Sequence, residues 1–189
     1  MLNPNILPEG SQNKIQIKNI HLHDYVIILA SNCSIHLYQN NNHVFIPLGS
    51  LFVLEKRLII DLVITRESSG VLYELLRIDN ETLYALKKIY EPILGLSLDN
   101  LLKKRSLEDR VFFLKNDYME MELFRKTKEH YLEKHSIFGI AYLLSMSENA
   151  QKISHSLAIT SVARFSEKVS DIILSDIKKN GNYQMWLTG

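Results

Sequence analysis

Three side chains carry the chemistry this sequence offers: His21, His23 and Arg77. His21 and His23 stand two residues apart, so a strand through both points the two imidazoles to one face, where a metal ion takes its ligands. A complete site needs more donors. Metal enzymes built on small β-barrels add a glutamate a few residues after such a pair, and a third histidine after a P-x-G turn. Here Asp24, Tyr25 and the apolar Val26 to Leu29 follow the pair, and Pro47-Leu48-Gly49-Ser50-Leu51 leads to Phe52 where that histidine would fall. The turn is kept and the ligands are not. Neither a metal site nor an enzyme is expected, and hydrogen bonding at a strand end is the commoner role for such histidines.

Arg77 lies between Leu76 and Ile78, at the end of an apolar run. A guanidinium in apolar surroundings needs an anion, because an unpaired buried charge is costly. Two kinds of partner stay open. One is structural: Asp24, Glu55 or Glu74. The other is a bound carboxylate, which arginine clamps with two parallel hydrogen bonds while a histidine such as His23 adds a third. An apolar barrel mouth would suit the acyl chain of such a ligand.

Other chemistries find little support. There is no G-x-S-x-G elbow, no P-loop and no G-x-G-x-x-G. Cys33 is the one cysteine. It reads as lying inside an apolar run, between Asn32 and Ser34, as a small core residue would, and cannot form an intramolecular disulfide. Lys103-Lys104-Arg105 reads as a solvated turn.

The elements that must position these residues change character near residue 79. From Asn13 to Ile78 the chain reads as short strands separated by turns: Lys14 to Lys18, Tyr25 to Ala30, Ile35 to Tyr38, Val44 to Ile46, Leu51 to Leu54, Leu58 to Thr65 and Val71 to Ile78. Gln39 to Asn42 supplies left-handed turn residues for one hairpin. Strands at this spacing, without intervening helices, argue for a barrel or sandwich. After Asp79 helical spacing takes over. Leu83, Leu86 and Tyr90 mark a first helix capped by Asp79 or Asn80 and ended before Pro92. Further helices are expected from Asn116 to about His135, from Ser136 to Met146 and from Ser161 to Lys178, with Val111 to Leu114 a strand or an extended connection.

With 22 Lys and Arg against 21 Asp and Glu in 189 residues, the molecule as a whole lacks the positive field that draws phosphate backbones. The apolar runs are strand-length, too short for a membrane span. No basic-then-apolar secretory signal opens the chain. A cytoplasmic protein without a membrane role is expected.

Several stretches, in order, carry a family likeness: Lys18-Asn19-Ile20-His21-Leu22-His23-Asp24-Tyr25 with Ser31-Asn32-Cys33; Leu51-Phe52-Val53-Leu54-Glu55-Lys56; Leu76-Arg77-Ile78 with the Leu83 to Lys88 helix; Tyr142-Leu143-Leu144-Ser145; and Ser161 to Val169. Together they resemble the AraC/XylS family of transcription activators, in its virulence-regulator subclass, over nearly all of residues 13 to 179. The resemblance implies an α+β fold, an N-terminal cupin-like β-barrel followed by an α-helical dimerisation subdomain. It divides the chain into a disordered leader (1–12), the ligand-binding barrel (13–79), the helical dimerisation part (80–179) and the truncated start of a helix-turn-helix DNA-binding domain (180–189). It further implies a homodimer, no cofactor, a fatty-acid-like effector, and DNA contacts only through a C-terminal domain absent from this chain. His23 and Arg77 match positions where such relatives meet the effector's carboxylate, although some members answer to bicarbonate or bile instead. A truncated protein that sequesters a full-length regulator is the alternative, and a metal cupin enzyme a more distant one.

Overall fold

The structure is a computed structural model, and it describes residues 13–90, 105–115, 117–131, 136–147, 150–154 and 156–157. The expected leader, the helix over 161–178 and residues 180–189 lie outside these. Eight strands are β1 (Lys14–His21), β2 (Tyr25–Leu29), β3 (Cys33–Gln39), β4 (Asn42–Ile46), β5 (Leu51–Leu54), β6 (Ile59–Arg66), β7 (Glu74–Ile78) and β8 (Val111–Phe113). Three helices are α1 (Asn80–Tyr90), α2 (Tyr118–Glu129) and α3 (Ser136–Ser145). Residues 150–154 and 156–157 are helical as well.

The strands form two antiparallel sheets, ordered β1-β6-β3-β4 and β7-β2-β5-β8. Of the expected barrel or sandwich, the described residues form two separate sheets that face each other, and the cupin-like barrel that the resemblance implies is not closed among them. β8, from beyond the run of strands, completes the second sheet by pairing with β5.

Burial explains the residue patterns. The second sheet is covered on both faces. On one side Val26, Ile28, Phe52 and Leu54 pack against Ile35, Leu37, Ile46, Ile60 and Ile64 of the first sheet. On the other, Tyr25, Ile27, Leu29, Val53, Leu76 and Ile78 pack against Leu83 and Leu86 of α1, Phe124 of α2, Ile140, Leu143 and Leu144 of α3, and Ile153 and Leu157. A strand buried on both faces has no polar side, so β2 reads as the unbroken Tyr-Val-Ile-Ile-Leu. The first sheet faces solvent on its outer side, and β4 alternates accordingly.

Local chemistry sets the ends of these elements. Asn40, at φ 54°, takes the left-handed position in the β3–β4 turn, as the Asn run suggests. Asp79 Oδ1 accepts from Thr82 N at 2.8 Å and caps α1. The cap of α2 is Asp117 rather than Asn116: its carboxylate accepts from Met119 N (3.0 Å) and Glu120 N (3.2 Å). That helix ends at Glu129, short of the expected His135. Where α2 and α3 meet, a Cβ on Gly139 would lie 2.4 Å from Thr127 Oγ1, so the close approach depends on glycine. No helix among the described residues is long and apolar enough to cross a membrane.

Candidate functional site

β7 alternates its side chains between two layers. Leu76 and Ile78 face the helices, whereas Leu75 packs with the core between the sheets. Arg77 falls on Leu75's face. In register, Val26 lies opposite Arg77 and Ile28 opposite Leu75, and both partners belong to the same inter-sheet core.

Between the sheets lies a small apolar cavity of about 30 Å³. Ile17, Ile35, Leu37, Leu62 and Ile64 line it from the first sheet, and Ile28, Phe52, Leu54, Tyr73 and Leu75 from the second side. Leu75 and Arg77 are two residues apart on one strand face, so their Cα atoms are separated by about 7 Å. Arg77 thus stands one step along that strand face from the apolar lining.

Apolar neighbours in sequence suggested a buried Arg77, and that expectation is corrected. Its side chain is 62% exposed, because alternation turns Leu76 and Ile78 away from it and the strand ends there. Of the three acids considered as partners, Asp24 pairs with it: Arg77 Nε lies 2.6 Å from Asp24 Oδ2, and the Asp24 side chain is only 12% exposed. The other two are engaged elsewhere. Glu55, deeply buried, accepts from Arg105 Nη1 at 2.6 Å and Ser156 Oγ at 2.8 Å, with Arg110 Nε at 3.4 Å. Ser156 also meets the Tyr25 hydroxyl at 2.6 Å. Arg105 is therefore no part of a solvated turn. Glu74 accepts from Arg125 Nε at 3.1 Å and Lys128 Nζ at 2.8 Å.

His21 closes β1, while His23 lies two residues on, in the turn before β2, and both are exposed. Strand alternation therefore does not extend to His23. Its connection to the site is sequential, since it precedes Asp24, the partner of Arg77. Among the described residues, no three His, Cys, Asp or Glu side chains gather as metal ligands. The histidines that do meet are His36 and His43, Nδ1 to Nε2 at 2.8 Å across β3 and β4, beside Tyr38 and Phe45 on the outer face. Desolvation, then the neighbouring His43 and Lys14, hold His36 below its ordinary pKa. This pairing escapes a reading along the chain because it depends on the β3–β4 register. Burial pushes the Cys33 thiol up to about 11, and its Sγ donates to Leu72 O at 3.1 Å, which makes it an inert core group.

No family model matches the chain. It is 31% identical over 166 residues to the HTH-type transcriptional activator FapR of Escherichia coli, covering 87% of this chain and 64% of FapR. To the virulence regulon transcriptional activator VirF of Shigella flexneri it is 29% identical over 170 residues, covering 90% of this chain and 64% of VirF. The chain thus spans just under two thirds of either relative. In three dimensions it matches ToxT from Vibrio cholerae O395, solved with bound (E)-4-(8-methylnaphthalen-1-yl)but-3-enoic acid, with a TM-score of 0.58 and 18% identity over 87% of this chain and 61% of ToxT. The chain's homologues are AraC-family virulence activators, and its fold is similar to the N-terminal domain of ToxT.

Proposed function

We propose that this chain is the effector-binding and dimerisation part of an AraC-family activator of bacterial virulence genes, and that its effector is a fatty-acid-like carboxylate. In this reading residues 13–79 supply a cupin-like pocket, residues 80–179 the dimer contacts, and a C-terminal domain outside these 189 residues the DNA contacts, all in the cytoplasm and without catalysis. The observation that carries it is the placement of Arg77 on the strand face that continues into the apolar cavity through Leu75. A cation beside an apolar slot suits a carboxylate head with an acyl tail. His23, next to Asp24 in the turn, is the second polar group assigned to the head. The acid in the ToxT structure, a carboxylate on an aromatic tail, is a ligand of the same chemical class and supports the reading.

Calorimetric titration of decanoic acid tests this. A charge-assisted contact contributes about 1.5 to 3 kcal/mol, so Arg77→Ala should weaken binding by roughly one to two orders of magnitude. His23→Ala should cost less. Arg77→Lys should restore only part of the affinity, because a point charge lacks the planar fork. Unchanged affinity in Arg77→Ala, or no binding by the wild-type protein at full length, overturns the assignment.

A further inference from the structure

We infer that Asp24 is a built-in competitor for the effector's carboxylate, an internal anion that occupies Arg77 until a ligand takes its place. The inference rests on the carboxylate reading above and deepens it by naming the residue that sets the affinity.

Asp24 Oδ2 lies 2.6 Å from Arg77 Nε. A carboxylate that grips arginine from the side uses Nε together with one terminal nitrogen, so this grip is closed to a ligand while Asp24 holds Nε. The two partners differ in freedom. The Asp24 side chain is 12% exposed, whereas that of Arg77 is 62% exposed. The turn carrying Asp24 is fastened on its first residue, where Leu22 N donates to Leu58 O (2.9 Å) and Leu22 O accepts from Arg57 N (2.6 Å). The acid is seated and the arginine can swing. An ion pair with so exposed a cation contributes little to stability, so exchanging it for a ligand costs the fold little. The position also fits, since Arg77 stands opposite Val26, two residues after Asp24, and one step from the cavity lining.

Competition has a signature that mere support lacks. Removing a supporting residue weakens the ligand, whereas removing a competitor strengthens it. The gain should be confined to ligands that carry a negative charge.

The experiment titrates decanoic acid and its uncharged methyl ester into the wild-type protein, Asp24→Asn and the double variant Asp24→Asn/Arg77→Ala. Asp24→Asn should bind the acid roughly tenfold more tightly, as expected when a like charge is removed from a shared cation. Its affinity for the ester should stay within about twofold of wild type, and the double variant should lose the gain. Asp24→Ser serves as a second neutral variant if Asp24→Asn does not fold. Acid binding by the wild type that is unchanged or weakened in the neutral variants overturns the competitor role and leaves the carboxylate site standing. An equal gain for acid and ester also overturns it, because the effect would then be one of space and not charge. Failure of the acid to bind either protein overturns both readings.

Discussion

Glu74 fastens the strand that bears Arg77 to helix α2, through Arg125 and Lys128. Burial alone would raise the pKa of this carboxyl, but hydrogen bonds and charges from Lys128 and Arg125 outweigh it and hold the group below its ordinary value. A depressed native pKa means that the unfolded chain binds the proton more readily. The contribution is therefore complete above the unfolded value, near 4.5, and is lost as pH falls through the native one. Both cations are substantially exposed, which keeps the magnitude to about 1 kcal/mol. Glu74→Gln should lower unfolding stability by about that much at pH 7 and by less at pH 3, as urea titrations at the two values will show. An equal loss at both would assign Glu74 a packing role. At this scale the sequence identified the ionic groups correctly but not their pairing. Asp24, Glu55 and Glu74 were equivalent candidates for Arg77, and only the strand register and the incoming segments around Arg105, Arg125 and Ser156 separate them.

Helix α3 presents its apolar residues on two sides. Ile140, Leu143 and Leu144 are buried against the second sheet and its neighbours. Phe138 and Tyr142, with Met146 one residue past the helix, recur every fourth residue on another side and stay 66%, 48% and 40% exposed. Such a stripe is expected at a seam with a second copy of the chain. Sedimentation over a concentration series should show a weak homodimer for the wild-type protein, and Phe138→Glu should shift it to monomer without lowering the melting temperature. A wild-type protein that stays monomeric at high micromolar concentration contradicts this role for α3. Element types were largely legible, because a two-residue period and a helical period are properties of the local sequence. Boundaries and arrangement were less so. The extended stretch at Val111 to Phe113 acquires its identity as a strand from pairing with β5, and Ile153 and Leu157 complete the core from a stretch with no assigned helix.

The described residues form three layers, an outer sheet, a doubly covered sheet and a layer of helices, with the apolar cavity between the first two and Arg77 one step along the strand from its lining. Alternating and continuous apolar strands forecast a barrel or sandwich without separating the two, because both share that pattern and closure depends on edge pairing that no single strand encodes. The cavity was legible only as a surplus of apolar residues, since its position follows from how the two sheets face each other. The central claim joins that cavity to Arg77 as tail site and head site of one ligand. Its most direct test is a crystal structure of the protein grown with decanoic acid. The account predicts the carboxylate within about 3 Å of the Arg77 guanidinium, Asp24 displaced from Nε, and the acyl chain running between Ile28, Leu54 and Leu75. A bound acid with its carboxylate away from Arg77, or with its tail outside the space between the sheets, contradicts it.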